Sequence, residues 1–188
     1  MRKIILASQS SRRKQILEWA EIPFDVIVSH ADESFPADLK VEEVPVYIAN
    51  AKINAVIQQH RIDENKPVVA ADTVVVLQNE IIGKPENRTA AIGILERLSG
   101  KTHRVITGVS IFYKSQFYSF SETTEVEFAE LSRPQIEHYV DHYHPYDKAG
   151  AYAIQEWIGI TGIRSIKGDF YNVMGLPGRR LTEALRNL

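Results

Sequence analysis

The sequence predicts a single α/β domain, and three observations favour this fold class. Short runs of apolar, β-branched residues, such as 4–7 and 68–77, have the composition of buried strands. Between these runs, apolar residues recur at helical spacing over residues 43–60 and 88–98. The chain has 188 residues, of which 44% are hydrophobic, and this is enough to build one sizeable core.

Charge, cysteine content and hydropathy narrow the classes of function. With Lys+Arg 22 against Asp+Glu 24, the formal net charge of -2 gives no overall attraction to nucleic acid or to an anionic membrane. The absence of cysteine excludes disulfides, thiolate metal sites and a cysteine nucleophile. Polar residues 8–13 end the first apolar run too early for a signal peptide, and no run approaches the roughly 20 apolar residues of a membrane span. We therefore expect a soluble, cytoplasmic protein with no nucleic-acid or membrane partner, and a homodimer is left open.

The first strand, residues 4–7, leads into a helix whose start is rich in serine and in basic residues. Ser8, Ser10 and Ser11 are all candidates for the N-cap. Arg12 and Arg13 follow in the first turn, where positive charge opposes the helix dipole. Free amides and these cations together favour a phosphate site, although a capped helix with a solvated basic turn also fits. The Gly-Lys-Ser/Thr ending of a P-loop is missing.

A second strand is predicted over residues 24–28, followed by a loop over 29–36 that carries Asp32 and Glu33. The helix predicted over 43–60 has an apolar stripe formed by Val44, Ile48, Ala51, Ala55 and Val56. Lys52 falls outside this stripe and is therefore predicted on the surface.

Asp72 interrupts the central apolar strand, where an unpaired carboxylate is costly. The turn predicted at 78–80 would start an antiparallel return strand that ends near Lys84. The charges of Asp72 and Lys84 would then face each other on neighbouring strands. Either a catalytic role for Asp72 or a structural ion pair explains this arrangement.

The rest of the chain continues the alternation of helices and strands. A helix over 88–98 ends before Gly100, strands follow over 102–113 and 117–128, and Ser132 opens another helix. Small residues dominate 147–155, and Gln155 at its end could bond a nucleobase edge or simply the backbone. An edge strand is predicted over 158–166, and then a closing helix with Leu181, Leu185 and Leu188 facing inward.

Several blocks of the sequence together resemble the Maf family of nucleoside triphosphate pyrophosphatases. The matching blocks are residues 6–13, 32–33, 49–52, 71–75, 83–85, 98–103, 147–152 with 154–155, and 168–177. The resemblance implies one two-lobed α/β domain over residues 1–188. In this fold a long, bent mixed sheet is flanked by helices around a central cleft, as in the inosine triphosphate pyrophosphatases.

The same resemblance implies metal-dependent hydrolysis of a nucleoside triphosphate substrate to the monophosphate and pyrophosphate, with Mg²⁺ or Mn²⁺. Arg12, Thr73 and Gln155 match the branch of the family that acts on dTTP and UTP, and modified pyrimidine nucleotides are further candidate substrates. Two alternatives stay open: a nucleotide-binding regulator of septum formation without significant catalysis, and a pyrophosphatase for non-standard purine triphosphates.

The residue patterns and the family resemblance together suggest a role for each candidate site residue. The groups expected around the phosphates are Ser8, Arg12, Arg13, Lys52 and Lys84. Asp72 is predicted to be the catalytic base, and Glu33 to hold the metal, shared with Asp72. Thr73 and Gln155 are expected to select the base. Ser11 and Glu156 stand where the family usually has proline and glycine, and Glu156 is expected to alter the loop beside the nucleobase.

Overall fold

The structure is a computed structural model that describes residues 2–28 and 30–188. Ser29, the first residue of the predicted loop, and Met1 lie outside the described residues. The strands within the described part are β1 (Ile4–Leu6), β2 (Phe24–Val26), β3 (Val68–Leu77), β4 (Glu80–Ile82), β5 (Thr102–Tyr113), β6 (Gln116–Phe128) and β7 (Ile163–Lys167). The helices there are α1 (Ser11–Trp19), α2 (Val44–Gln59), α3 (Arg88–Leu98), α4 (Arg133–Tyr143), α5 (Trp157–Gly162), α6 (Phe170–Met174) and α7 (Gly178–Arg186). Single 3-10 turns form at Pro145–Asp147 and Ala149–Ala151.

The strands of residues 2–28 and 30–188 form one seven-stranded mixed sheet. Its order is β2-β1-β3-β5-β6-β7, and β4 pairs with β3 off this path. β1 is parallel to β2 and β3, whereas the β3–β4 and β6–β7 pairs are antiparallel. The α/β class and the mixed sheet flanked by helices are thereby confirmed, and the central cleft stays a prediction.

The hairpin between β3 and β4 is tighter than predicted. Gln78 and Asn79 adopt φ values of 51° and 73°, and Leu77 pairs directly with Glu80. These left-handed residues form the two-residue connection that matches the twist of the strands. Because β4 ends at Ile82, Lys84 lies beyond the strand. The prediction that Lys84 ends the return strand is therefore wrong, and its pairing with Asp72 stays a prediction.

Helix α2 buries a face that only partly overlaps the predicted one. Its buried residues are Val44, Pro45, Ile48, Ala49, Lys52, Ile53 and Val56, whereas Ala51 and Ala55 are half-buried. Ala49, Ile53 and Val56 pack in a core cluster with residues of β1 and β3. The surface position predicted for Lys52 is therefore wrong, because this lysine lies on the face that packs against the sheet.

A glycine in β5 lets α2 approach this closely. A Cβ at Gly108 would lie 2.3 Å from the backbone nitrogen of Val46 and 2.4 Å from the carbonyl carbon of Pro45. Such distances are far inside van der Waals contact, so Gly108 sets the depth at which the first turn of α2 packs.

Two compact units divide the described residues, and a boundary falls between Asp72 and Thr73. The first unit takes the described residues up to Asp72 together with Thr107–Glu122 and Gly175–Leu188. The second takes Thr73–Ile106 and Thr123–Met174. The single domain predicted over residues 1–188 stays a prediction.

The region after Gln155 differs most from the sequence-based prediction. Instead of one strand over 158–166, α5 occupies Trp157–Gly162 and β7 follows at Ile163–Lys167. The short helix α6 was not predicted. α7 buries Leu181 and Leu185 as predicted, but it ends before Leu188, which is only half-buried. No helix formed by residues 2–28 and 30–188 combines the length and hydropathy needed to cross a bilayer.

Candidate active site

The start of α1 is capped by serines in the way that the sequence allows. Ser10 is the N-cap, and its Oγ accepts a hydrogen bond of 3.4 Å from the backbone N–H of Arg13. Ser8 is buried, and its Oγ accepts 3.2 Å from the backbone N–H of Ser10. Arg12, next in the first turn, is half-buried. A capped helix is therefore present, and a phosphate role for this turn stays a prediction.

Arg13 is a buried arginine that ties the helix start to a distant loop. Its Nε donates to the carbonyl oxygen of Gly175 at 2.8 Å, and its Nη1 donates to Ser8 Oγ at 3.3 Å. Burial lowers the pKa of its guanidinium, and the charges of Asp72 and Glu33 oppose this effect. An arginine stays protonated despite such a change, so Arg13 supplies a fixed positive charge to this group of side chains.

Lys52 lies between two carboxylates, and this is the central feature of the first unit. Its Nζ is 2.7 Å from Asp72 Oδ1 and 2.8 Å from Glu33 Oε1. The side chains of Lys52 and Asp72 are only 11% and 14% exposed, whereas that of Glu33 is 49% exposed. One cation beside Asp72 is thus contributed by α2, from the buried face of the helix.

The two adjacent loop acids have different surroundings. Asp32 folds back on its own loop: the backbone N–H of Ser34 donates to Oδ1 at 2.9 Å, and the Ser34 hydroxyl donates to Oδ2 at 2.8 Å. These hydrogen bonds lower the pKa of Asp32. Glu33 instead extends to Lys52. The Asp32 turn is a local structure that fixes the backbone from which Glu33 projects.

The donor set formed by Glu33 and Asp72 fits the Mg²⁺ or Mn²⁺ that the resemblance implies. Both carboxylates converge on one ammonium group, so both are within reach of a common cation. Mg²⁺ is typically held by one or two carboxylates together with substrate phosphates and water. Among the described residues, no three His, Asp or Glu side chains are grouped as a metal site, so the remaining ligands would come from substrate and water.

The second unit contains Thr73, Lys84 and Gln155. Thr73 follows Asp72 in β3 and is half-buried, whereas Lys84 and Gln155 are exposed. The backbone N–H of Gly150 donates to the carbonyl oxygen of Gly83 at 3.2 Å. This bond ties the loop that carries Lys84 to the segment that leads to Gln155, although 71 residues separate them in sequence.

The structure thus groups the predicted site residues into two sets, one in each unit. The first set is Ser8, Arg12, Arg13, Glu33, Lys52 and Asp72, and the second is Thr73, Lys84 and Gln155. Within the first set, direct contacts link Ser8 to Arg13 and link Lys52 to both acids.

Sequence reasoning missed two residues around Gln155, Tyr139 and Lys148. Tyr139 donates a hydrogen bond to Glu156, and the buried Lys148 pairs with Asp147 at 2.8 Å and with Glu156 at 3.7 Å. Lys148 belongs to a matching motif, which was a usable signal. Tyr139 was predicted on its helix, but helical periodicity does not show which group its hydroxyl contacts.

The fold and the charged cluster define an α/β protein with a lysine held between two acids. Comparison with known families gives a match over residues 3–188 to the family described as Maf-like protein. The chain therefore belongs to the Maf-like protein family, and the resemblance seen in its motifs is confirmed.

Several curated relatives are similar over nearly their whole length. The dTTP/UTP pyrophosphatase of Phocaeicola vulgatus is 46% identical over 187 residues, covering 99% of this chain and 96% of the relative. The protein of the same name from Bacteroides thetaiotaomicron is 44% identical over 187 residues, with coverage of 99% and 96%. Porphyromonas gingivalis W83 has one that is 43% identical over 186 residues, with coverage of 98% and 94%. The predicted enzyme class agrees with these names.

Among solved structures, the Ham1 protein of Staphylococcus aureus is similar with a TM-score of 0.45. Its sequence is 19% identical, and the match covers 69% of this chain and 73% of that chain.

Proposed function

We propose that this protein is a metal-dependent nucleoside triphosphate pyrophosphatase that acts on dTTP and UTP and on modified pyrimidine nucleotides. The observation that carries the proposal is the position of Lys52 Nζ, 2.7 Å from Asp72 and 2.8 Å from Glu33. In this cluster the carboxylate of Asp72 can serve as a base. Lys52 and the buried Arg13 supply positive charge. The relatives named dTTP/UTP pyrophosphatase support the choice of substrate.

In the proposed reaction, a water oxygen attacks phosphorus at the anhydride between the α and β phosphates. The new phosphorus–oxygen bond forms as the bridging bond breaks, and the electron pair leaves with pyrophosphate. Asp72 accepts the proton of the water, with its carboxylate oriented by the N–H of Lys52. Arg12, Arg13, Ser8 and Lys84 bind phosphate oxygens on which negative charge builds up.

A bound Mg²⁺ or Mn²⁺ would supply Lewis-acid stabilisation of phosphate charge, and Glu33 and Asp72 would hold it. In its absence, Lys52 balances the charge of the two carboxylates. Metal removal should therefore abolish turnover without unfolding the protein.

Base selection is assigned to Thr73 and Gln155. The Gln155 amide has one acceptor oxygen and two donor hydrogens, and uracil and thymine present an N–H donor beside a carbonyl acceptor. Gln155 is exposed on the second unit, so it is accessible to a ligand. A site built on such paired hydrogen bonds disfavours bases that cannot match them.

Pyrophosphate release from about a dozen nucleoside triphosphates, with Mg²⁺ or Mn²⁺ and then with chelator, tests the proposal. We expect the highest kcat/KM for dTTP and UTP, loss of activity with chelator, and about a 10²–10³-fold decrease in kcat for Asp72→Asn, the range typical of a general base. Circular dichroism of the variant checks that it is folded.

Three outcomes would contradict the proposal in different ways. Tight dTTP binding without pyrophosphate release indicates a nucleotide-binding regulator. Preference for inosine or xanthosine triphosphate indicates a pyrophosphatase for non-standard purines. Near-normal turnover by Asp72→Asn rules out Asp72 as the base.

A further inference from the structure

The turn that carries Gln155 is held by side chains to which the proposed reaction gives no role. Tyr139, on α4, is fully buried, and its hydroxyl lies at this turn. That hydroxyl accepts a hydrogen bond of 3.1 Å from the backbone N–H of Ala153 and donates one to Glu156 Oε2. One phenol therefore bonds both ends of the four-residue turn 153–156.

The turn is also closed by its own backbone and by a buried lysine. The backbone N–H of Glu156 donates to the carbonyl oxygen of Ala153 at 3.1 Å. Lys148 Nζ lies 3.7 Å from Glu156 Oε1, and the Lys148 side chain is only 10% exposed. The Glu156 side chain is itself 22% exposed, so its carboxylate is held on the protein side of the turn.

Within this turn, Gln155 is the residue that faces solvent. Ala153 and Ile154 are buried, and Glu156 is directed to Tyr139. A turn fixed at both ends restricts the backbone from which the Gln155 amide projects. Hydrogen-bond readout depends on such preorganisation, since a displacement of about 1 Å weakens directional bonds substantially.

We propose that Tyr139 and Glu156 form a clamp, the Tyr139–Glu156 clamp, that positions Gln155 and thereby sets nucleobase preference. This inference rests on the proposed function, because Gln155 is the base-selecting residue there. A glycine at position 156 could not accept the bond from Tyr139, so the clamp depends on the Glu156 carboxylate. Both members are positioning residues.

The test compares the ratio of kcat/KM for dTTP to kcat/KM for dCTP in four variants, because cytosine presents an acceptor nitrogen beside an amino donor, the reverse of the thymine pattern. Tyr139→Phe keeps the buried ring and removes the hydroxyl, and Glu156→Gly removes the acceptor. We expect both to lower the ratio at least fivefold, mainly through a higher KM for dTTP, with kcat for dTTP changed less than twofold. Glu156→Gln keeps an oxygen that accepts the phenol bond and should retain the ratio within twofold.

Glu137→Gln is the matched control, because Glu137 pairs at 2.8 Å with Arg133 on the exposed face of the same helix. It should leave the ratio unchanged. A merely structural role would lower the kcat/KM of both nucleotides equally. The clamp is therefore ruled out if the ratio in Tyr139→Phe and in Glu156→Gly stays within twofold of wild type.

If the proposed enzymatic function is wrong, the outcome differs from the one that would rule out the clamp. If the wild type releases no pyrophosphate from any nucleotide, the ratio of Kd values for dTTP and dCTP in the same variants replaces the kinetic ratio. Amide hydrogen exchange at Ala153 adds a readout that needs no substrate. It should be faster in Tyr139→Phe, and unchanged exchange would contradict the bridging bond.

Discussion

Lys52 is the residue on which the charge balance of the candidate active site depends. Its ammonium group is nearly buried and contacts two carboxylates, of which Asp72 is also nearly buried. Charges in such surroundings are tolerated when each has a partner, and removal of one partner leaves the others uncompensated. The contact proposed to orient Asp72 for chemistry therefore also contributes to stability.

Replacing Lys52 with methionine keeps the volume of the side chain and removes its charge. We expect the free energy of unfolding to decrease by about 2–3 kcal/mol, because Asp72 loses the partner of its nearly buried charge. The loss is smaller than for a fully buried pair, since the half-exposed Glu33 can be solvated by water. Pyrophosphate release should fall at least 100-fold. Urea unfolding and steady-state kinetics measure the two effects.

The matched control is Lys3→Met, because Lys3 pairs with Asp25 at 2.6 Å but both side chains are about half exposed. Its removal should change stability far less than Lys52→Met does and should leave activity intact, because solvent screens an exposed pair. Equal effects of the two substitutions on stability would show that burial of the Lys52 group has no energetic consequence.

Among single residues, the sequence identified Asp72 correctly as an acid in a buried strand, but it did not identify Lys52 as a partner of Asp72. Periodicity in α2 was compatible with two faces, and the stripe without a lysine was the natural choice. The true face includes Lys52 because Asp72, 20 residues away in sequence, and Glu33 from an earlier loop neutralise it. Local pattern contains no information about such distant partners.

Among the elements, α5 shows how a close backbone contact decides between helix and strand. Its segment is rich in isoleucine and threonine, which favour strands, and this composition led to the predicted strand over 158–166. A Cβ at Gly159 would lie 1.7 Å from the carbonyl oxygen of Ile154. The helix can therefore start directly after the turn of Gln155 because residue 159 has no side chain.

Gly159→Ala should accordingly disrupt this junction. We expect a loss of at least about 2 kcal/mol in unfolding free energy, because neither backbone atom can move without breaking the turn. The melting temperature should drop by roughly 2–4 °C for each kcal/mol lost. Differential scanning fluorimetry gives the shift.

Gly93→Ala is the control for this substitution, since Gly93 lies within α3 and a Cβ there meets nothing within 4 Å. Alanine in a helix interior should raise stability by up to about 1 kcal/mol. If Gly159→Ala were as stable as Gly93→Ala, the close contact with Ile154 would not constrain the junction.

Over the whole molecule, the sequence was sufficient for the α/β class and for most elements up to α4. Strands β1 and β3 consist largely of apolar, β-branched residues, and α4 begins at the predicted capping residue Ser132. Less was predictable after residue 155, where packing of glycines and short helices overrides local preference. The buried polar groups also depend on tertiary contacts, and His103 is an example that affects the stability of the whole chain.

His103 in β5 is 1% exposed, and its Nε2 is 2.8 Å from the hydroxyl of Tyr152. Burial lowers the pKa of His103 from 6.5 to about 4. Between these values the unfolded chain binds a proton that the folded protein does not bind, so the free energy of unfolding falls as the pH decreases from 6.5 to 4. The loss from this residue reaches about 3 kcal/mol.

Urea unfolding at several pH values should therefore give a shallower pH dependence for His103→Phe than for wild type, and only over this interval. Tyr152→Phe is the matched control: it removes the hydroxyl and keeps the imidazole, so it should lower stability by about 1 kcal/mol at every pH without changing the slope. Parallel curves for wild type and His103→Phe would mean that the buried histidine takes up its proton without unfolding, which its burial against Tyr152 and Phe128 opposes.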